Sequence, residues 1–408
     1  MIHAPLILRS WRPLFALIAA TALAAGCGGG TESGVGGGGT GAPQSFSRGP
    51  ITGFGSIIVN GTHFDDSSAS VTDDDGNALS GAQSLRLGTV VDVQGGAVDN
   101  GVAAASTIRV HVDLVGQVTS AFDAASGRLA VLGQPVRVVS TTALDGFSGG
   151  AAAIAAGSSV AVASLYDQAT GVYVATRIDP APAASHFAIR GVPSAVDTAA
   201  HTFTLGGVVF GYGSVTPPSP LAAGQLLRAL LATAPDSGGH WVVTAFSQAQ
   251  SPLPEGLSGG VDGVVASVAD ATHFVVNGVT VDASSAKITP TGTTIGVQAR
   301  VVVQGSISGG VLVATAVHER ANGDNDDDHG AAAAGATGSD TVQLNGAILS
   351  LDTAHQTFTM RGSTTVSYAT ASFSGGTAAS LAVGTAVRVS GNLSADGTRV
   401  IASQITFH

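Results

Sequence analysis

Four kinds of residue in this chain have types and spacings that could do chemistry. The string Gly146-Phe147-Ser148-Gly149-Gly150 matches a G-x-S-x-G nucleophile elbow, which would make Ser148 the attacking group of a serine-type hydrolase. An elbow needs a strand entering and a helix leaving, so that the serine is held in a strained, exposed turn. No helical pattern follows Ser148, and Phe373-Ser374-Gly375-Gly376 repeats the same letters near the C-terminus, which suits a structural loop better than a catalyst. His201, His273 and His355 stand at matching distances after a glycine, as repeated metal ligands would. Each sits in its own sequence copy, and Gly127-Arg128 takes the place in another copy, so solvated turn residues are expected. The run from Asp324 to Gly330 offers oxygen donors at alternating positions, and Asp324, Asp326 and Asp328 are the candidate ligands of a weak Ca²⁺ site. Its glycine comes one place late for an EF-hand, and Gly335 stands where the bidentate carboxylate belongs, so a self-repelling linker with at best millimolar affinity is expected. Asp73-Asp74-Asp75-Gly76-Asn77 is a second acidic turn. The aromatic residues Tyr166, Tyr173, Tyr212, Tyr368 and Trp241 could stack on sugars or bases, but they are scattered where binding barrels cluster them. Only the third copy combines Tyr212, His240 and Trp241 with a proline-rich loop at 216–220. No catalytic residue and no cofactor beyond weak Ca²⁺ is expected.

A fifth reactive group is Cys27, the only cysteine, which cannot form an internal disulfide. It ends the string Leu23-Ala24-Ala25-Gly26-Cys27, after Arg9, Arg12 and an apolar run at 14–25. A charged start, a short apolar segment and a small-residue end make a secretory signal, residues 1–26, too short to span a bilayer stably. The last five residues resemble the lipobox of bacterial lipoproteins, whose cysteine becomes the lipidated first residue of the mature chain. That resemblance implies lipidation at Cys27 and durable membrane anchoring, since each buried methylene adds roughly 0.8 kcal/mol. Gly28 follows where an inner-membrane retention signal would place Asp, so the outer membrane is the expected location, on its periplasmic or surface side. Residues 27–49 are rich in Gly, Ser and Thr and read as a flexible tether.

The elements that must position these groups are strands. With 24 Asp against only Glu32, Glu255 and Glu319, and Lys287 as the sole lysine, the straight-chain helix formers are almost absent. Val, Thr, Ile and Ala alternate in short runs bounded by Gly, Asp, Asn and Ser, the pattern of strands and tight turns. The expected fold class is all-β. Without the signal segment the charge is −13, from 14 basic and 27 acidic residues. Nothing resembles the basic stripe that displaces counterions from phosphates, so nucleic acid is not an expected partner.

The chain repeats itself. Openings at Gly53, Gly116, Gly191, Gly263 and Gly346 each lead through a hairpin, seen most clearly in Asp197-Thr198-Ala199-Ala200-His201-Thr202-Phe203-Thr204 and Asp352-Thr353-Ala354-His355-Gln356-Thr357-Phe358-Thr359. A second signature closes copies, as Val90-Val91-Asp92-Val93-Gln94-Gly95, Val301-Val302-Val303-Gln304-Gly305 and Val387-Arg388-Val389-Ser390-Gly391. Ala-Ser-Thr-Ile or a relative of it then ends the copy, at 105–108, 175–178, 314–317 and 402–405. The expected modules are 50–114 (divergent), 115–184, 185–256, 257–320 and 341–408, with an acidic Ala/Gly linker at 321–340. The fourth copy shows about five strands, at 261–269, 273–277, 279–282, 300–304 and 311–317, which fits a small OB-like barrel whose closure leaves no edge. A module this small buries only about 60% of its unfolded surface, so neighbouring copies are expected to pack on one another in sequence order.

These motifs, a Gly-Val opening, Asp-Thr-Ala-x-x-Thr-Phe-Thr, Val-Gly-x-x-Val-x-Val-x-Gly and a closing Ala-Thr-x-Ile, resemble the repeats of the DUF5666 family. The resemblance spans about residues 50–408 and is clearest in copies four and five. It implies β-rich modules of unassigned function, often arrayed in bacterial envelope lipoproteins, and carries over no catalytic residue. The leading functional expectation is a non-enzymatic, lipid-anchored cell-envelope protein whose tandem barrels bind or scaffold an unknown envelope glycan or protein. The alternatives are a hydrolase using Ser148 and a purely structural surface spacer.

Overall fold

A computed structural model describes residues 45–182, 184–217, 220–250, 252–320 and 341–408. Cys27, the signal segment, the tether up to residue 44, and the acidic run with Asp324, Asp326 and Asp328 lie outside the described residues. The first module contains β1 (Ser45–Phe54), β2 (Ile57–Val59), β3 (Thr62–Asp65), β4 (Ser70–Thr72), the one-turn helix α1 (Gly81–Ser84), β5 (Val90–Gly95) and β6 (Val102–His111). β1 begins at Ser45, inside the stretch read as tether.

Its strands close a ring. β1 pairs antiparallel with β2, β2 with β3, β3 runs parallel to β6, β6 pairs antiparallel with β5, and β5 returns to β1. This is the strand order of an OB barrel, and the expected all-β architecture of five small barrels is the one observed. β4 is added beside β6 in parallel. Its counterparts Ala143–Leu144, Lys287–Thr289 and Ser372–Ser374 are too short for an alternation of side chains to show in the sequence. The other four copies repeat the ring. In the third, Pro193 lies where the opening strand breaks into Phe187–Gly191 and Ala195–Asp197.

Two sequence signatures have local physical causes. The Asp of the opening hairpin folds back on its own turn, its carboxylate accepting backbone N–H bonds from Ala199 and Ala200 on Asp197, from Thr272 and His273 on Asp270, and from Ala354 and His355 on Asp352, at 2.8–3.1 Å. The glycine that ends Val-x-Val-x-Gly sits at a register shift between the last two strands. A Cβ on Gly305 would stand 2.0 Å from the Val313 carbonyl oxygen, and one on Gly391 would stand 2.2 Å from that of Ile401. Only glycine lets the strands approach there.

The packing between modules follows sequence order only in part. All ten residues of β1 are buried. Besides β5 and β2, β1 pairs in parallel with the opening strand of the fourth module, Ser45–Arg48 against Ser258–Val261, and of the fifth, Gly53 and Phe54 against Gln343 and Leu344. The first and fifth modules share one hydrophobic core that includes Phe54, Leu85, Phe358 and Leu381. The second and third share another, with their opening strands paired at Leu114–Ile189 and Val115–Ala188. The second and third modules pack as sequence neighbours, but the first packs on the distant fourth and fifth, because each barrel leaves the outer edge of its opening strand free and these edges pair wherever they stand in the chain.

Deleting residues 341–408 is therefore expected to unseat more than one module. Hydrogen exchange should show lost protection in β1, β2 and β6 while the second and third modules keep theirs. Full protection of β1 in the truncated chain would show that the shared core contributes nothing to the first barrel.

Candidate functional sites at the module junctions

Where the first three modules meet, charged side chains are taken out of water together. Asp74 comes from the loop after β4, Asp92 from β5, His111 from the end of β6 and Asp113 from the link that follows. Arg190 and Arg228 come from the third module, and all six are buried. His111 Nδ1 stands 2.7 Å from Asp74 Oδ1, and its Nε2 lies 3.1 Å from Asp92 Oδ1, at ion-pair distance but out of hydrogen-bond alignment. Arg190 donates to Asp113 at 3.1 Å and also to Asp74. Arg228 holds Asp75 through both terminal nitrogens and donates to Ser247 Oγ at 2.6 Å. Asp92 receives a bidentate pair from Arg48 of β1 at 2.6 and 2.7 Å, and Ser164 donates to Asp113.

Burial alone would drive these groups neutral, and the partners decide otherwise. For Asp74, burial opposes ionisation but Arg190, His111 and Arg228 outweigh it and hold the carboxyl far below its usual range. For Asp92, Arg48 and His111 do the same. Burial likewise opposes the imidazolium of His111, and Asp92 and Asp74 outweigh it, so its pKa is raised. Asp113 goes the other way, raised chiefly by burial against Arg190 and Ser164.

The direction of each shift sets a pH window. His111 contributes its full stabilisation below its ordinary 6.5, and this is lost as pH climbs through the raised value. Asp74 and Asp92 contribute fully above the ordinary 3.8 and lose that only as pH falls through their lowered values. Asp113, raised, favours the folded state in acid and offsets part of the carboxylate contribution above that. The junction is thus strongest between about pH 4 and 6.5. Replacing His111 by Gln should cost roughly 3–5 kcal/mol near pH 5.5, the cost of breaking a buried pair. The penalty should shrink as pH rises. Denaturant melts from pH 5 to 9 check this, and a pH-independent penalty would mean that His111 acts only by packing.

The other sequence candidates do not converge. His201 Nδ1 donates to the Gly213 carbonyl oxygen of its own hairpin and the ring stacks on Tyr212 at 5.3 Å, His273 pairs with Asp270 at 2.9 Å, and His355 pairs with Asp352 at 2.6 Å. Each serves its own turn, as expected. Ser148 lies exposed before a four-residue 3₁₀ turn, Gly150–Ala153, rather than a helix, and no hydrogen bond joins it to a histidine. The acidic turn splits three ways: Asp73 caps the turn through the Asp75 and Asn77 amides, Asp74 enters the buried network, and Asp75 pairs with Arg228. The third module's aromatics are core, not a platform. Trp241 packs edge-on against Phe187 at 5.8 Å and Tyr212 against Phe246 at 6.0 Å, while His240 lies outside beside Asp236. Tyr212 and Trp241 thus complete the third module's hydrophobic core and present no exposed stacking face.

Sequence reasoning missed the junction. Its signal was a charge flanked by apolar residues, Asp92 within Val-Val-Asp-Val and Arg190 within Ala-Ile-Arg-Gly, at positions that alternation assigns to the face away from the barrel core and that the junction buries. It also missed a groove of about 410 Å³ along the β1 seam with the fourth module. Ser45, Ser47, Asn60, Gln304, Ser306 and Thr315 line it, and no charged side chain does. Asn60 is held by donating to Ser47 Oγ and the Arg48 carbonyl at 2.9 and 3.0 Å.

Comparison with known proteins bears on the repeats. No curated protein matches the chain. A family described as "Domain of unknown function (DUF5666)" matches residues 48–109, 115–179, 262–318 and 345–406, more than half of the chain. The third barrel falls outside these matches although its ring of strands is the same. At its register shift stands Leu231 where Gly95, Gly305 and Gly391 stand in the first, fourth and fifth copies. With four matched copies folded as the same closed ring, the chain belongs to the DUF5666 family.

Proposed function

We propose that this is a non-enzymatic, lipid-anchored protein of the bacterial outer membrane, in which five fused barrels present a binding surface away from the bilayer. The observation that supports it best is the fusion itself. Strand pairing through β1 brings parts of the first and fourth modules around one groove that neither has alone. The exposed hydroxyls of Ser258, Ser306 and Thr315 and the Gln304 amide suit a neutral polyhydroxylated ligand, such as an envelope glycan, because they offer donors and acceptors without a charge to desolvate. The lipobox-like string at Cys27 and the Gly-rich segment after it support the anchor.

Two measurements test the two halves of this reading. Residues 45–408, immobilised and passed over envelope extract, should retain a glycan, and Gln304→Ala should weaken retention by about tenfold, the loss of one well-made hydrogen bond. Retention of nothing would favour a spacer. Separately, metabolic labelling with a palmitate analogue should mark the wild-type chain and not Cys27→Ser. Equal label on both would remove the anchor.

A further inference from the structure

A second cavity, of about 170 Å³, lies between the second and fourth modules, and its chemistry is the opposite of the neutral groove. Arg128 and Arg137, on strands Arg128–Val131 and Gln134–Arg137, stand directly opposite each other as cross-strand partners. Like charges so placed, with Cα atoms about 5 Å apart, repel. Among the described residues neither guanidinium has an ion-pair or hydrogen-bond partner; Arg128 is exposed, while the Arg137 Nε is buried without a partner. Arg300 of the fourth module completes the lining and is held from behind by Asp262 at 3.3 Å.

The one carboxylate on the wall, Asp167, is not their counter-ion. Its oxygens accept from Ala169 N at 3.0 Å, Thr170 N at 3.4 Å and the Thr170 hydroxyl, and it pairs with none of the three arginines. Nine of the eleven other arginines among the described residues pair with aspartates, so an opposed pair left without one stands out in an acidic chain.

The geometry points to an anion site at Arg128 and Arg137, with Arg300 at its back, that takes a phosphate group. Two unneutralised guanidinium forks match a tetrahedral dianion, which can accept from both at once, better than a single carboxylate. Phosphate bound there removes the cross-strand repulsion, so ligand binding and stability are coupled. The ligand is either a soluble phosphate-bearing molecule or the headgroup of a phospholipid.

Inorganic phosphate and acetate titrated calorimetrically into the full chain separate the chemistry. Phosphate should bind, acetate more weakly, and Arg137→Gln should lower phosphate affinity by about tenfold or more. In phosphate-free buffer Arg128→Gln should raise the melting temperature, because it removes the repulsion, and phosphate should then stabilise wild type more than the variant. Sedimentation with phosphatidylglycerol and phosphatidylcholine vesicles identifies the source. A preference for phosphatidylglycerol that Arg137→Gln abolishes supports a headgroup, and phosphate binding without that preference supports a soluble ligand. Phosphate heat that is absent, unchanged in Arg137→Gln or matched by acetate overturns the site. A lower melting temperature for Arg128→Gln in phosphate-free buffer overturns it too.

Discussion

Strand β1 cannot satisfy its own backbone within its barrel. A strand has two hydrogen-bonding edges along its whole length, and β5 and β2 each cover only part of one. The remaining N–H and C=O groups find partners on Ser258–Val261 and on Gln343 and Leu344, so four strands sheathe one. The first module is consequently the hub of the fourth and fifth, and the groove along its seam exists because of that pairing. Gly53 permits the contact: a Cβ there would lie 2.4 Å from the Gln343 carbonyl oxygen.

Five barrels of one topology could pair their free edges in several ways, and charge discriminates among them. Arg190 meets Asp74 and Asp113, Arg86 of the first module meets Asp145 and Asp179 of the second while Arg177 donates back to the Leu87 carbonyl at 3.0 Å, and Arg361 meets Asp66 across the contact of the fifth module with the first. A wrong partner at the buried Arg190 would leave its charge alone out of water, at several kcal/mol. Hydrophobic burial supplies drive, and at the first module's contacts with the second, third and fifth the ion pairs disfavour other partners.

Much of each barrel was legible and little of their arrangement was. Alternating Val and Thr, the Asp of the hairpin turn and the glycine of Val-x-Val-x-Gly are local constraints that repeat, so five copies showed them several times over. The strand at 279–282 falls where the sequence placed it. The seam was hidden because Ser45-Phe46-Ser47-Arg48-Gly49 has the composition of a linker; its burial comes from partners distant in sequence. The junction charges were hidden for a related reason. An Asp in an apolar strand signals something unusual, but its cation stands in another module, as Arg190 does for Asp74, and spacing along one chain carries no record of that meeting.

Placing the hub at the start of the chain has a consequence for biosynthesis. β1 is made first, yet the strands that cover its second edge are made only after the second and third modules are complete. Until then the nascent first barrel presents an open β edge, the kind of surface that recruits other chains. Pro50, which has no N–H to offer, and the glycines at 49 and 53 weaken that edge as a template during the wait. The contacts that cover this edge are also among those of longest sequence separation in the protein, the class of contact that costs most in loop closure.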